Sequence, residues 1–216
     1  MSEHFEKAPA ELRQRVLDAS LEEFSAHGYQ QTSTNAIVRR AQIPKGTLFY
    51  FFGSKKDLYL YLVAWAVERY ARAMEAMRQQ SPPPDDFFER LMDQGKKRMQ
   101  FAVQEPRLYQ LLYHAFVTAP EDVRAELWSR YNEAGLAGAQ ANLAGVRSDL
   151  FREGINLQQA TELVYLVMDG VFRKYLERLK KLSPEESLRL IAEVEVEARE
   201  KFELLKWGLY RPVDEE

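Results

Sequence analysis

Between Gly28 and Lys56 the chain carries five basic residues, Arg39, Arg40, Lys45, Lys55 and Lys56, and no aspartate or glutamate. The whole chain has a formal net charge of −3, so this is a local positive face, the footprint expected of a phosphate-binding surface. Within it, Lys45-Gly46-Thr47 sets a cation beside a residue without a side chain and one that offers both a hydroxyl and a methyl. That set suits the approach of a backbone to base edges in the major groove of DNA. Tyr50 and Phe51 follow, and are expected on the same outer face with Lys45 and Thr47. A charged face on an ordinary helical hairpin is the bland alternative.

Catalysis finds little support. The three histidines are scattered, cysteine is absent, and there is neither a phosphate-cradling glycine loop nor a compelling acid/base pair. No catalytic residue, metal ligand or cofactor is expected. His114 reads as a hydrogen-bonded core or pocket-edge side chain, because no second histidine or acid stands at ligand spacing from it.

The elements that must position the basic face are two short helices within residues 30–58. The first starts at Thr34, whose hydroxyl is expected to cap a backbone N–H, and buries Ile37, Val38 and Ala41. Gln42-Ile43-Pro44 breaks it, since proline disfavours helical backbone at the residue before it. The second restarts at Pro44 or Lys45, with Leu48 and Phe52, four apart, on its core side. A preceding helix from Pro9 or Ala10 to Gly28 buries Val16, Leu17, Leu21 and Phe24, with Gly28 as its C-cap. From Ser54, a cap with Asp57 three residues on, a helix of about 27 residues, roughly 40 Å long, runs to Gln80. The prolines of SPPPDD, residues 81–86, stop it.

The order of helix, Gly28-Tyr29, Thr32-Ser33-Thr34, short helix and then PKGTLFYFFGSKKDLYLYLV resembles the N-terminal DNA-binding domain of the TetR family of bacterial transcriptional regulators. The resemblance covers residues 10–65 closely and the remainder only in length, helical pattern and aromatic content. It implies an all-α homodimer with a small-molecule pocket in its C-terminal domain and repression relieved by ligand. Carried over by position, it implies DNA contacts at Thr34, Asn35, Lys45, Gly46, Thr47, Tyr50, Phe51 and Lys55. Three positions depart from the family pattern. Gln42 stands where a turn glycine is usual, and Phe49 and Phe51 replace a tyrosine and a histidine, so Phe49 cannot donate to a phosphate.

Beyond residue 86, punctuation marks further helices: Asp85 to about Glu105, a start at Pro106, and capping-box spacing at Thr118–Glu121 before a segment expected to end at Gly154. Two more starts stand at Asn156 with Gln159 and at Ser183-Pro184 with Glu186. The expected fold is all-α with about nine helices: a three-helix helix-turn-helix domain over residues 1–53, and a ligand-binding and dimerisation domain over 54–216. The apolar run LVYLVM at 163–168 is too wide for one core and must be covered on two sides. Val164, Val171, Phe172 and Tyr175, with Leu188, Ile191, Phe202 and Leu205, are the candidate dimer interface. AGLAGAQANLAG at 134–145 either packs helices tightly or leaves a hollow. In the second case Phe101, Tyr109, Tyr113, Phe116, Trp128, Tyr131, Tyr165 and Met168 are the candidate pocket.

No stretch approaches the roughly 18 apolar residues of a membrane span, and the opening MSEHFEKAPAE lacks an apolar signal core. A cytoplasmic chain is the expectation. The leading expectation for function is a dimeric repressor that binds a near-palindromic double-stranded operator and is released by a small, largely apolar or aromatic effector. An enzyme on an apolar substrate and a helical protein-binding module are the competing classes.

Overall fold

The computed structural model describes residues 3–179 and 184–210. Within the helices, the side chains of residues 132–141, 169, 172, 173, 176, 177, 179, 184, 185, 187, 188 and 191 lie outside that description. So do the expected interface positions Phe172, Leu188 and Ile191 and most of the Gly/Ala stretch. The described residues are all-α, without a strand; the one β-bridge joins Phe151 and Tyr210.

Ten α-helices follow in order: α1 (Glu3–Glu6), α2 (Ala10–Gln31), α3 (Thr34–Ala41), α4 (Lys45–Phe52), α5 (Lys55–Gln80), α6 (Phe87–Gln104), α7 (Pro106–Tyr113), α8 (Glu121–Leu143), α9 (Leu157–Leu179) and α10 (Pro184–Leu209). A π-helical segment, His114–Thr118, joins α7 to α8. One more α-helix is present than expected because Glu3–Glu6, read as polar chain, folds around Phe5, which is fully buried.

The chain forms two compact units, residues 1–76 with 104–138, and residues 77–103 with 139–216. These units are drawn differently from the functional division expected between residues 53 and 54. In the first, Val16, Leu17 and Phe24 of α2, Ile37 and Ala41 of α3, Leu48 and Phe52 of α4, and Leu58, Tyr59, Leu62, Val63 and Ala66 of α5 are buried. Gly28, at φ 65°, breaks the helical path of α2 one turn before its end, in the left-handed region that glycine enters without penalty. The Thr32 hydroxyl then donates to the carbonyls of Gly28 (2.6 Å) and Glu23 (3.1 Å), occupying acceptors left open by the break.

In the second unit, Phe87 and Phe88 of α6, Phe151 in the connection before α9, Ala160 and Val164 of α9, and Phe202 and Leu209 of α10 make one core cluster; Val171, Tyr175, Leu190 and Val194 make another. Asp86 opens α6 by accepting from the N–H groups of Phe88 (2.9 Å) and Glu89 (3.0 Å). The buried Arg90 guanidinium donates to the carbonyls of Pro84, Asn142 and Ala144. It thereby holds the polyproline turn and the end of α8 together, as a cation at open helix-terminal carbonyls should.

Asn156 and Gln159 form the expected reciprocal box at the start of α9, at 2.9 and 3.1 Å. Thr118 does not cap α8; its Oγ1 lies 2.9 Å from His114 Nδ1 inside the π-helical segment. α8 stops at Leu143 rather than Gly154, because Gly145 and Gly154 both adopt positive φ and the chain between them turns.

Candidate nucleic-acid interface

α3 and α4 form a helix-turn-helix whose geometry follows from its capping residues. Ser33, not Thr34, is the N-cap of α3: its Oγ accepts from the N–H of Ala36 at 3.4 Å, and Thr34 is the first helical residue. The shift leaves Thr34 partly exposed and Asn35 exposed in the first turn. Gln42 closes the helix in the left-handed conformation, φ 55° and ψ 48°, where the sequence expects a strained non-glycine residue. The Ile43 N–H donates to the Val38 carbonyl at 3.0 Å, and Pro44 sets α4 off in a new direction. Gly53, at φ 73°, ends α4.

α4 buries Leu48 and Phe52 as expected and exposes Lys45, Gly46 and, at 63 %, Tyr50. The placement of Phe51 on the outer face is corrected. It is only 9 % exposed, and its ring meets Phe5 edge-on at 5.4 Å. The cause is α1, which covers this side of α4. Phe49 is half-buried, with the Lys45 ammonium over its ring at 5.9 Å. A Cβ added at Gly46 would meet nothing within 4 Å, so that position is open outward.

The five basic residues divide into two groups. Arg40 is bound to Glu22 (2.6 Å) and Glu23 (3.5 Å) of α2. Lys55 donates to the Gln30 carbonyl at 3.1 Å and lies over the Tyr29 ring at 5.0 Å; burial lowers its pKa. Lys56 pairs with Asp122 (3.5 Å) and Glu126 (3.0 Å) of α8, and the hydrogen bond to Glu126 raises its pKa while lowering that of Glu126. Arg39 and Lys45 remain exposed, as do Asn35, Gly46 and Tyr50. The positive face is thus narrower than charge counting suggests, because three of its members hold helices together.

The same unit contains α7, the π-helical segment and most of α8. Arg107 of α7 reaches Glu22 at 3.5 Å, so this one carboxylate holds cations from both α3 and α7. The His114 ring lies 3.5 Å from where a Cβ on Gly28 would stand, so the break in α2 is also a close approach. Neither Glu22 nor the Phe5 anchor was singled out in the sequence. Phe5 had one available signal, a lone aromatic in a polar stretch.

The eight aromatic and methionine positions proposed for a pocket are divided between the units. Tyr109, Tyr113, Phe116, Trp128 and Tyr131 belong to the first; Phe101, Tyr165 and Met168 belong to the second. Phe116 is brought edge-on to Trp128 (5.7 Å) and Tyr131 (6.1 Å), and Tyr113 lies 5.9 Å from His114. Burial raises the Tyr131 pKa. Phe101 is buried, Tyr165 is exposed on α9, and Met168 packs between the two clusters of its unit.

Of the proposed interface residues, Val164, Val171, Tyr175 and Phe202 are buried within their own unit, and Leu205 packs against the larger cluster. Val164, Val171, Tyr175 and Phe202 are corrected as interface positions, because packing within the unit already buries them, whereas Leu205 keeps a partly exposed side chain. The outward apolar residues are Leu163 and Leu166 of α9 and Val196, Leu204 and Trp207 of α10.

Residues 16–62 match the family model for bacterial regulatory proteins of the tetR family. The chain is 32 % identical over 123 residues to the HTH-type transcriptional repressor KstR of Rhodococcus jostii (strain RHA1), an alignment covering 56 % of this chain and 54 % of that repressor. It is 21 % identical over 161 residues to the fatty acid metabolism regulator protein of Bacillus subtilis (strain 168), covering 72 % of this chain and 78 % of that one. The fold resembles the crystal structure of a TetR family transcriptional regulator from Chloroflexus aurantiacus J-10-FL, with a TM-score of 0.65 and 26 % identity, over 97 % of this chain and 98 % of that one. The helix-turn-helix formed by α3 and α4 lies within the matched residues 16–62, and the all-α architecture around it resembles that of the tetR family regulators.

Proposed function

We propose that the protein is a transcriptional repressor that binds a near-palindromic DNA operator as a homodimer and is released by a small, largely apolar or aromatic effector. The observation that carries the reading is the exposed start of α4. Lys45, Gly46 and Tyr50 stand clear of the core, with Arg39 and Asn35 exposed on α3. Thr34 and Thr47 complete the proposed contact set, and Lys55 keeps two ammonium protons beyond the one given to Gln30. Phe51 drops out of it through burial.

Dimerisation is supported by the outward face of α9 and α10. Val196, Leu204 and Trp207 stand eight and three residues apart, one helical stripe, and Trp207 is 79 % exposed. A surface of this kind calls for a partner, and a second copy gives the two-fold arrangement that sets two recognition helices about 34–36 Å apart on successive major grooves. No helix among the described residues is long and apolar enough to cross a membrane. The effector reading rests on the cluster of Phe116, Trp128 and Tyr131. The Bacillus relative is named for fatty acid metabolism, so acyl chains belong in any panel of effectors tested with aromatic ligands. Release requires a coupling of about 1–3 kcal/mol between effector and operator.

The test is selection of bound sequences from a random duplex pool, followed by anisotropy on the enriched duplex at two salt concentrations. A palindromic site and a log–log salt slope near −0.9 per neutralised phosphate are expected. Failure to enrich any sequence by a folded protein sinks the reading. For the dimer, sedimentation of a Leu204→Glu, Trp207→Glu double variant should give folded monomer; an unchanged sedimentation coefficient rules the stripe out.

A further inference from the structure

The short helix α1 lies against the recognition helix, and the reading of α4 as a DNA reader leaves it without a task. A single helical turn is unstable alone, and this one is held by its side chains. The buried Phe5 ring lies 5.4 Å from Phe51, 4.7 Å from Phe52 and 5.3 Å from Tyr61. The Tyr61 hydroxyl donates to the Glu6 carboxylate, and Arg13 of α2 donates to the Glu6 carbonyl at 2.6 Å.

This lock fixes the residue next to Phe5. The His4 ring lies 4.8 Å from the Tyr50 ring, its Nδ1 is 3.2 Å from the Tyr50 hydroxyl oxygen, and both side chains are exposed. An imidazole therefore stands on the outer surface of α4 beside the aromatic residue best placed to meet a nucleic acid. With Nδ1 committed to Tyr50, Nε2 is the second donor of the protonated ring.

We propose that His4 extends the DNA-reading surface: its imidazolium contacts a backbone phosphate beside Tyr50, so that operator affinity rises as pH falls. The inference rests on the DNA-binding reading above. The ionisable groups around His4 leave this role open. On its own segment, Glu3 pairs with Lys7 at 3.8 Å and Glu6 with Arg13 of α2 at 3.4 Å; α5 contributes Tyr61, already bonded to Glu6. α4 presents Tyr50, and its one charged side chain is Lys45. The nearby carboxylates thus have cations of their own, and a phosphate arriving at Tyr50 is the natural partner for the imidazolium.

The sign follows from linkage. A phosphate beside the ring favours the protonated imidazole in the complex, so binding takes up a proton and the gain is lost as pH rises. If the complex holds the proton about tenfold more tightly, binding at pH 5.5 exceeds that at pH 7.5 by at most about tenfold per reader.

Anisotropy with the enriched duplex, at both pH values and two salt concentrations, tests this on the full chain and on His4→Gln and His4→Lys. The wild type should show the pH gain. His4→Gln, which keeps a hydrogen bond to Tyr50 but takes no charge, should lose that gain and reduce the salt slope at pH 5.5 by about 0.9 per reader. His4→Lys should bind tightly at both pH values. A His4→Gln protein that keeps the full pH gain, or the wild-type salt slope at pH 5.5, overturns the proposal while leaving the DNA reading intact. A wild type that enriches no sequence overturns both.

Discussion

The Lys56 ammonium lies 3.0 Å from the Glu126 carboxylate, tying the first turn of α5, directly after α4, to α8. Both groups remain partly open to water, so the pair adds little to stability on its own. Its value is positional, since it fixes where α5 begins. Glu126 has its pKa lowered by the Lys56 hydrogen bond first and by Arg130 second. A carboxylate depressed in the folded state stabilises above its unfolded value and loses that contribution as pH falls through the folded one. The melting temperature of Glu126→Gln should therefore lie slightly below wild type at neutral pH, and the gap should close on acidification below the ordinary carboxylate range. Circular dichroism melts across that range decide it; a gap that widens in acid contradicts the assignment.

Gly46 separates folding from binding. It is exposed, and an added Cβ would touch nothing, so Gly46→Ala should raise stability by about 0.5–1 kcal/mol. The same methyl would stand where α4 approaches the bases. We expect a higher melting temperature together with weaker operator binding, and equal affinity would show that this backbone does not come close to DNA.

Neighbouring aromatics on α4 should behave in opposite ways. Phe51→Ala removes a ring packed on Phe5 and Phe52 and should cost about 3–5 kcal/mol of stability. Tyr50→Ala, at an exposed site, should change stability by only about 0.5 kcal/mol while weakening DNA binding. Denaturant melts and anisotropy on the same two proteins make the comparison, and a Phe51→Ala protein of normal stability would falsify its placement.

Two lysines in the basic stretch should also part company. Lys45→Ala should leave the melt unchanged and reduce the salt slope of operator binding by about 0.9 per reader. Lys55→Ala should lower stability, because it removes the donor to the Gln30 carbonyl and the cation over Tyr29. A salt slope that also falls in Lys55→Ala supports Lys55 as a phosphate ligand as well as a cap, and an unchanged slope removes it from the proposed contact set.

Much of the helix-turn-helix was legible in the residues themselves, because local rules decide it. Proline at 44 dictates the turn before it, four-residue spacing puts Leu48 and Phe52 on one side, and Asn156 with Gln159 closes its box over three residues of chain. Even the unusual Gln42 conformation could be foreseen, since the turn constrains φ whatever residue fills it.

What only the tertiary structure decided lies at longer range. Phe51 is hidden by Phe5, forty-six residues earlier in the chain, and the same docking sets His4 on Tyr50. Arg40 and Lys56 look like free cations until α2 and α8 bring Glu22 and Glu126 to them. On α9 and α10, periodicity announced a surface covered on two sides, but their mutual packing chose which side is consumed within the chain. Helical periodicity ranks faces by polarity, whereas partners are selected by how distant helices pack, and that packing is absent from any local window of sequence.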